Sequence, residues 1–494
     1  MAEETKEEKK EESKEKLTPK DNLVESKHSV VIAGQEIRYT VTTGTIVLKE
    51  ETPDREKDYE GEKPKAQFFF IAYTRDDVED KSKRPLTFSF NGGPGSSSVW
   101  LHLGLLGPRR VALTFEGDLP QPPYRLVDNE FSLLDQTDLV FIDPVSTGYS
   151  RPVPGEKAKQ FHGFKKDIES VGDFIRLYTT RYKRWLSPKF LIGESYGTTR
   201  AAGLSEYLQD RHGMYLNGIM LVSTVLDFGS IDLTPGNELP YILFLPTYAA
   251  TAWYHRKLRL RRPLEKLLTE VEKFALTDYA LALMQGSALP RRERTRIAER
   301  LARYTGLSQQ FIERANLRVG EFRFFKELLR DEGKTVGRLD SRFTGLDKDN
   351  AGEFFEYDPS FTNIIGPYTA AFYDYVRREL NFEADLPYEI INGKVWPWSY
   401  EEQQNQHVYV AESLRKAMTI NPYLKVFVAN GYYDLATPYF ATEYVFNHLG
   451  LHESLQKNIR MSYYEAGHMM YIHLPALEAM KNDLAAFLKD SVPA

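Results

Sequence analysis

The pentapeptide GESYG at positions 193–197 stands between a buried strand and a helix, and it constrains the fold of this chain most strongly. The apolar run Phe190–Ile192 precedes it, and a helix-length segment follows it. A serine held at so abrupt a turn leaves little room for side chains two residues away. Gly193 and Gly197 relieve this crowding because glycine has no Cβ. The pattern therefore predicts a strained strand-to-helix turn that exposes Ser195 at the edge of a sheet.

Short apolar runs alternate with helix-length segments through much of the chain. Phe164, Ile168, Val171, Ile175 and Tyr178 follow one another at helical spacing. Strands that alternate with helices predict a mostly parallel, doubly wound sheet with helices on both faces. The predicted strands are 87–90, 139–142, 190–192, 219–222 and 426–428, and 476–488 is predicted as a closing helix.

Two regions of the chain depart from the alternation of strands and helices. The segments 29–48 and 67–73 have strand patterns and predict antiparallel N-terminal strands, with the charged stretch 50–65 as a loop between them. Between about 235 and 400 the strand pattern fades. Amphipathic helices are predicted there at 264–284, 292–304 and 308–317, which indicates an inserted, mainly helical cap.

A chain of 494 residues exceeds the roughly 250–300 residues at which a single core stops growing. We expect a disordered charged tail over 1–27, because 13 of its first twenty residues are Glu or Lys. The core domain that contains the predicted sheet then spans 28–234 and 401–494, with the cap at 235–400 between the two parts.

The composition limits the classes of function. The formal net charge is −6, from 64 basic and 70 acidic residues, and gives no sign of nucleic-acid binding. The chain has no cysteine, which excludes disulfide and cysteine–zinc chemistry. No apolar run of about 18 residues is present, so we expect no transmembrane helix and no membrane partner. The absence of an apolar leader favours the cytoplasm by default, and a removed leader would allow the periplasm or secretion. The oligomeric state is open, and a homodimer is one possibility.

Two segments late in the chain supply partners for a serine nucleophile. A serine hydroxyl needs a base to remove its proton, and this fold places the residues in the order serine, acid, histidine. Asp434 follows the strand 425–429, and His468 follows the apolar run 459–464. Both belong at the sheet edge where doubly wound folds bind ligands. We therefore predict an α/β-hydrolase fold with Ser195, Asp434 and His468 as its triad, and His102 and His473 as possible pocket residues.

The glycine-rich loop at 91–95 follows the predicted strand 87–90 and predicts an oxyanion hole. Tetrahedral acyl transfer needs N–H groups aimed at the developing negative charge. The backbone N–H groups of Gly93 and Tyr196 are the predicted donors.

The stretch 347–358 superficially resembles a calcium loop. Ala351 stands at a ligand position, however, and the twelfth residue is Asp358 instead of Glu. We interpret this stretch as a polar loop and predict no metal site.

Four motifs together resemble the serine carboxypeptidase family over about residues 30–490. They are NGGPGSSS at 91–98, GESYG at 193–197, Asp434 in NGYYD and His468 in AGHM. The resemblance implies an enzyme that needs no cofactor and releases the last residue of peptides with a free C-terminus. It implies Ser195, Asp434 and His468 as nucleophile, acid and base, and the N–H groups of Gly93 and Tyr196 as oxyanion donors.

The resemblance also implies that the substrate's terminal carboxylate binds Asn91, the Gly92 N–H and Glu194. Two carboxyl groups can hydrogen-bond only when one of them carries a proton, so activity at acidic pH is expected. The chain departs from the family in having Ser96 for a cysteine, Ser89 for a tryptophan, and no acid in the stretch 100–108, where the family has a second glutamate. Without that acid, Glu194 has one reason fewer for a raised pKa.

Two other functions are compatible with these residues. An esterase or acyltransferase would use the same triad on another acceptor, and the missing second acid favours it. A non-catalytic binding protein would keep the cleft alone, which the intact triad, turn and glycine-rich loop disfavour.

Overall fold

The computed structural model describes residues 19–51, 61–259 and 262–492. Its strands are β1 (Asn22–Ile32), β2 (Gln35–Glu51), β3 (Glu62–Arg75), β4 (Leu86–Phe90), β5 (Arg109–Val111), β6 (Leu126–Asp128), β7 (Asp138–Ile142), β8 (Arg151–Pro152), β9 (Lys189–Ser195), β10 (Gly218–Thr224), β11 (Thr335–Val336), β12 (Thr344–Gly345), β13 (Lys425–Gly431) and β14 (Ile459–Tyr464).

The longer helices are α1 (Phe164–Arg181), α2 (Tyr196–His212), α3 (Leu239–Tyr254), α4 (Leu264–Phe274), α5 (Arg291–Thr305), α6 (Pro359–Arg378), α7 (Ala411–Ile420), α8 (Tyr439–Asn447) and α9 (Leu474–Asp490). Shorter helical segments are Val99–Leu101, His102–Leu106, Leu133–Asp135, Ala158–Phe161, Phe228–Ser230, Ala275–Tyr279, Ala280–Gln285, Gly286–Ala288, Gln309–Arg314, Glu321–Glu327, Arg330–Glu332, Gly393–Val395, Glu401–Gln403, Glu453–Gln456 and Met470–Ile472. Within the described ranges, no helix is long and apolar enough to cross a membrane.

A ten-stranded sheet organises the molecule, with the order β1-β2-β3-β7-β4-β9-β10-β13-β14 and β8 paired to β3. The neighbours from β7 to β14 in this order run parallel, whereas β1, β2, β3 and β7 pair antiparallel. The central strands β4, β7 and β10 are buried along their whole length, because hydrophobic clusters cover both faces of the sheet. The predicted mostly parallel sheet with antiparallel N-terminal strands is confirmed.

The N-terminal strands are longer than the sequence pattern indicates. The predicted tail of 1–27 is wrong for residues 22–27, which lie in β1; residues 1–18 fall outside the described chain. Exposed residues alternate with half-buried ones along much of β1, a pattern that an edge strand tolerates. The predicted loop 50–65 is likewise shorter, because β2 reaches Glu51 and β3 starts at Glu62. Glu50 pairs across the strands with Lys63, and opposite charges stabilise such a pair.

The stretch between β10 and β13 holds α3 to α7 and most of the shorter helical segments. Its helices enclose their own hydrophobic cluster, which includes Leu243, Val271 and Phe324 and continues onto Tyr433 and Tyr439 beside the sheet. The short pair β11 and β12 also lies here, and two-residue strands leave no readable sequence pattern. The stretch is therefore mainly helical, and its assignment as a separate cap remains a prediction.

Candidate active site

Ser195 lies at the junction where β9 ends and α2 begins. Its backbone has φ 60° and ψ −129°, a conformation that costs a non-glycine residue about 1–3 kcal/mol. A Cβ on Gly193 would overlap the carbonyl oxygen of Gly197, and one on Gly197 would lie 2.8 Å from the carbonyl oxygen of Phe90. Both positions therefore require glycine, as the sequence indicated, and Ser195 remains half-buried at the carboxyl edge of the sheet.

Asp434 and His468 follow the adjacent parallel strands β13 and β14, which brings them together at this same edge. Nδ1 of His468 lies 2.8 Å from Oδ2 of Asp434. The N–H groups of Ala436 and Thr437 donate to Oδ1 of Asp434, and Thr437 Oγ1 donates to its Oδ2 at 2.7 Å. These bonds fix the plane of the carboxylate, so it can orient the imidazole.

The pKa of His468 reflects two opposing influences. Burial disfavours the charged imidazolium, but the negative charge of Asp434 and its hydrogen bond outweigh burial, and the pKa lies above the usual value. Such an imidazole accepts a proton readily and holds it next to a carboxylate. This is what a general base for Ser195 requires.

The backbone around His468 is held by residues without a recognisable sequence motif. The His468 N–H donates to the carbonyl of Leu339 at 2.6 Å, and Ser223 Oγ donates to the His468 carbonyl at 2.7 Å. The Gly467 N–H donates to Oδ2 of Asp340 at 3.0 Å. The histidine loop is therefore fixed on both sides by hydrogen bonds from outside it.

The segment 337–343, which we call the strap, crosses between the two triad loops. Its Ser341 N–H donates to the carbonyl of Tyr433, and the Leu435 N–H donates to the carbonyl of Arg338. Asp340 is buried and forms an ion pair with buried Arg342 at 2.7 Å. The strap thereby connects the loop of the acid with the loop of the base. Sequence reasoning missed it because it lies within the stretch predicted as cap, far from either motif.

The glycine-rich loop packs against the first turn of α2. A Cβ on Gly92 would collide with the backbone nitrogens of Tyr196 and Gly197, so only glycine permits this approach. As the first residue of α2, Tyr196 has an N–H with no intrahelical partner. Gly93 has φ +101° and is exposed to solvent. The structure therefore brings the loop of Gly93 to the N–H of Tyr196, while their role as oxyanion donors remains a prediction.

Glu194, next to the nucleophile, is buried and lies in a hydrogen-bonded network. Tyr471 Oη donates to its Oε2 at 2.5 Å, and the side chain of Asn91 also hydrogen-bonds to it. Burial raises the pKa of Glu194 to about 7, although His468 and these hydrogen bonds act in the opposite direction. Burial, with a smaller contribution from the charge of Asp434, thus raises the pKa of Glu194 without an acid in the stretch 100–108.

Asn91 is fixed from behind by buried polar groups. Its Oδ1 accepts the Leu101 N–H at 3.1 Å, and its carbonyl accepts Nη1 of Arg200 at 2.6 Å. Arg200 is itself buried and paired with Asp167 at 2.8 Å. Because its oxygen is occupied, the Asn91 amide group uses its N–H donors, and these hydrogen-bond to Glu194 and Tyr471.

The segment 391–399 covers the other side of the glycine-rich loop. The Asn392 N–H donates to the carbonyl of Gly95, and Trp398 Nε1 donates to Oη of Tyr196 at 3.1 Å. A cavity of about 410 Å³ lies beside this segment, lined by His162, Glu401 and other residues of α1 and 397–402. None of the triad residues lines that cavity, so it is separate from the candidate active site.

The remaining candidates lie elsewhere. His102 is a core residue: it hydrogen-bonds to Tyr73, and burial lowers its pKa to about 3. It is therefore not a pocket residue. His473 stands 3.4 Å from Glu116 and also lies outside the triad network. In the calcium-like stretch, Lys326 pairs with Asp347, which places an ammonium group where a cation would bind.

These features define the class of the protein: an α/β-hydrolase fold with a serine–histidine–aspartate constellation. A prohormone-processing carboxypeptidase from Saccharomyces cerevisiae, KEX1(delta)p, has a solved structure with a TM-score of 0.55 and 16% identity, covering 91% of each chain. That likeness concerns the fold, and it agrees with the predicted α/β-hydrolase architecture.

The sequence comparisons show a similarity to serine carboxypeptidases. Residues 56–235 match the serine carboxypeptidase family model. The pheromone-processing carboxypeptidase KEX1 of Saccharomyces cerevisiae is 33% identical over 160 residues, which are 31% of this chain and 20% of KEX1. Serine carboxypeptidase-like 29 of Arabidopsis thaliana is 28% identical over 159 residues, 30% of this chain and 31% of that protein. The predicted resemblance to serine carboxypeptidases is confirmed.

The matched segment includes Asn91, Glu194 and Ser195 but ends before Asp434 and His468. The chain matches 20% of KEX1 and 31% of serine carboxypeptidase-like 29. The assignment of the acid and the base therefore depends on the geometry of the present structure.

Proposed function

We propose that this protein is a serine carboxypeptidase that removes the C-terminal residue of peptides through an acyl-enzyme on Ser195. The observation that carries the proposal is Glu194, a buried carboxyl group beside the nucleophile with a pKa of about 7. At acidic to neutral pH it is protonated and can donate a hydrogen bond to a carboxylate. An internal peptide bond offers no carboxylate for this donor, whereas a free C-terminus does.

The chemistry follows from the positions of the triad residues. His468 takes the proton of Ser195 as its Oγ attacks the scissile carbonyl, while Asp434 stabilises the imidazolium. The N–H groups of Gly93 and Tyr196 stabilise the oxyanion. His468 then returns the proton to the leaving amine, and water hydrolyses the acyl-enzyme by the same steps in reverse order.

Substrate selection follows from the terminal carboxylate. In this proposal Asn91 and the Gly92 N–H donate hydrogen bonds to it, and protonated Glu194 supplies another. A peptide whose terminus is an amide lacks the acceptor oxygens that these donors require. We therefore expect peptides with a free C-terminus as substrates.

One peptide in two forms, with a free C-terminus and with a C-terminal amide, tests this proposal. Both are incubated with the wild type and with Ser195→Ala between about pH 4 and 8, and the products are identified by mass spectrometry. Release of single C-terminal residues from the free acid alone, dependent on Ser195, is the expected result. Cleavage of internal bonds, or equal cleavage of both forms, would contradict it.

An esterase or acyltransferase is the second candidate function, and the absence of an acid from 100–108 is the observation that favours it. Ser195-dependent hydrolysis of simple esters, with neither peptide cleaved, would establish this alternative.

A further inference from the structure

Tyr471 contacts the carboxyl group on which the proposed reaction depends. Its Oη donates to Oε2 of Glu194 at 2.5 Å, and both side chains are buried. Burial and the charge of Glu194 place the pKa of Tyr471 well above its usual value. The hydroxyl group therefore stays neutral and remains a hydrogen-bond donor throughout the range in which the enzyme would work.

Two tyrosines occupy the space next to the acid-free stretch 100–108. A Cβ on Gly104 would collide with the ring of Tyr471 and lie 2.5 Å from Oη of Tyr368. Tyr368 is buried, and its ring packs 5.0 Å from that of Trp100. Phenol rings thus fill the space around Glu194, and they fit because Gly104 has no side chain. Tyr471 supplies the hydrogen bond to Glu194.

We propose that Tyr471 takes the place of the missing second acid as the positioning residue of the carboxylate-binding site; this inference rests on the proposed function. The hydroxyl group donates to Oε2, so a proton on Glu194 must reside on Oε1. Oε1 then points its proton toward the substrate carboxylate. A neutral phenol does not compete for that proton, whereas a second carboxylate would share it.

The replacement of an acid by Tyr471 also changes the pH range over which the site binds its substrate. A second carboxylate raises the pKa of its neighbour by like-charge repulsion, whereas a hydroxyl donor stabilises the charged form and lowers the pKa. The affinity of the site for peptides with a free C-terminal carboxylate should therefore fall as pH rises through the pKa of Glu194.

Tyr471→Phe tests the inference because it removes one hydroxyl group and keeps the ring. We expect KM for a free-acid peptide to rise about fivefold below the pKa of Glu194, the size of a lost hydrogen bond to a neutral group. The alkaline limb of kcat/KM should move to higher pH, since Glu194 loses a donor that favours its charged form. Hydrolysis of a simple ester without a carboxylate should stay within about twofold of the wild type.

A matched control and a double variant separate positioning from packing. Tyr149→Phe also removes a buried hydroxyl group, one without a hydrogen-bond partner among the described residues, and should leave KM and the pH limb unchanged. In a Glu194→Ala background, Tyr471→Phe should have little further effect on KM, because the carboxyl group through which Tyr471 acts is then absent.

If Tyr471→Phe does not fold, site-specific 3-fluorotyrosine at 471 keeps the size of the side chain and makes the hydroxyl a stronger donor. The alkaline limb should then move to lower pH. An unchanged KM and pH limb in these variants, with a wild type that still prefers free-acid peptides, would overturn the role of Tyr471 alone. A wild type without that preference would overturn the proposed function as well.

Discussion

The side chain of Asp340 accepts a hydrogen bond from the Gly467 N–H at 3.0 Å, so a residue of the strap fixes the backbone next to His468, the proposed base. The two residues are 127 positions apart in the chain. Asp340 is also paired with Arg342, and both are buried. The orientation of His468 therefore depends on a buried ion pair that belongs to neither triad loop.

Asp340→Asn should both destabilise the protein and slow catalysis. The change leaves Arg342 buried without its charged partner, which costs about 3–5 kcal/mol in comparable buried pairs. Among molecules that remain folded, we expect kcat for ester and peptide substrates to fall by about tenfold to a hundredfold, because the His468 loop loses its anchor.

Asp138→Asn is the matched control for this variant. Asp138 forms a buried ion pair with Arg184 at 2.5 Å, at the start of β7 and thus at the opposite edge of the sheet. Thermal unfolding and kcat are measured for both variants. A fall in kcat for Asp138→Asn as large as that for Asp340→Asn would show that general destabilisation explains the effect.

The pH dependence should differ between two kinds of substrate. Ester hydrolysis needs neutral His468, so kcat/KM should rise with pH through a pKa above 6.5 and then level off. Cleavage of a free-acid peptide also needs protonated Glu194, so it should fall again as pH passes about 7. Because Glu194 and His468 interact, the apparent pKa values of the two limbs of the pH profile belong to the pair and not to either residue alone. A peptide profile that follows the ester profile at alkaline pH would exclude the role of Glu194.

Glu194→Gln should reveal what this buried acid costs in stability. The folded-state pKa of Glu194 is raised from 4.5 to about 7, so the folded protein binds the proton more tightly than the unfolded chain does. As far as this group is concerned, the wild type should therefore be most stable below pH 4.5. Its free energy of unfolding should fall by at most about 3 kcal/mol as pH rises from 4.5 through 7. Glutamine cannot ionise, so the free energy of unfolding of the variant should lack this loss when both are compared in urea at pH 5 and 8.

Gly193→Ala should disrupt the turn itself. Its Cβ would overlap the carbonyl oxygen of Gly197, and backbone atoms in a buried turn cannot move away cheaply. We expect loss of soluble protein or of more than about 3 kcal/mol of stability, together with loss of ester hydrolysis. Gly352→Ala is the control, since its nearest neighbour would lie 3.7 Å away. Near-normal stability and activity of Gly193→Ala would contradict the geometry of the turn.

The sequence predicted those parts of the site that depend on local pattern. The turn around Ser195 could be recognised because its glycines, strand and helix are contiguous. Asp434 and His468 could be placed because each follows an apolar strand, and parallel strands end at one sheet edge. The central strands were equally clear, since burial on both faces produces continuous apolar runs.

The parts that sequence reasoning missed depend on contacts between distant segments. Asp340 and Leu339 belong to no motif, and only the folded chain brings the strap to the His468 loop. Tyr471 is one of 30 tyrosines, and its role depends on the space left by Gly104. The extra length of β1 also escaped prediction, because an edge strand with one exposed face carries the charges that elsewhere indicate a loop.

The central claim is that Ser195 is a nucleophile activated by His468, and a fluorophosphonate probe tests it most directly. Such a probe phosphonylates activated serines, and peptide mass spectrometry locates the adduct. We predict one adduct, on Ser195, in the wild type, and labelling slowed by at least about a thousandfold in His468→Ala, in line with triads studied by mutation. An adduct on another serine, or labelling of Ser195 that does not depend on His468, would contradict this account.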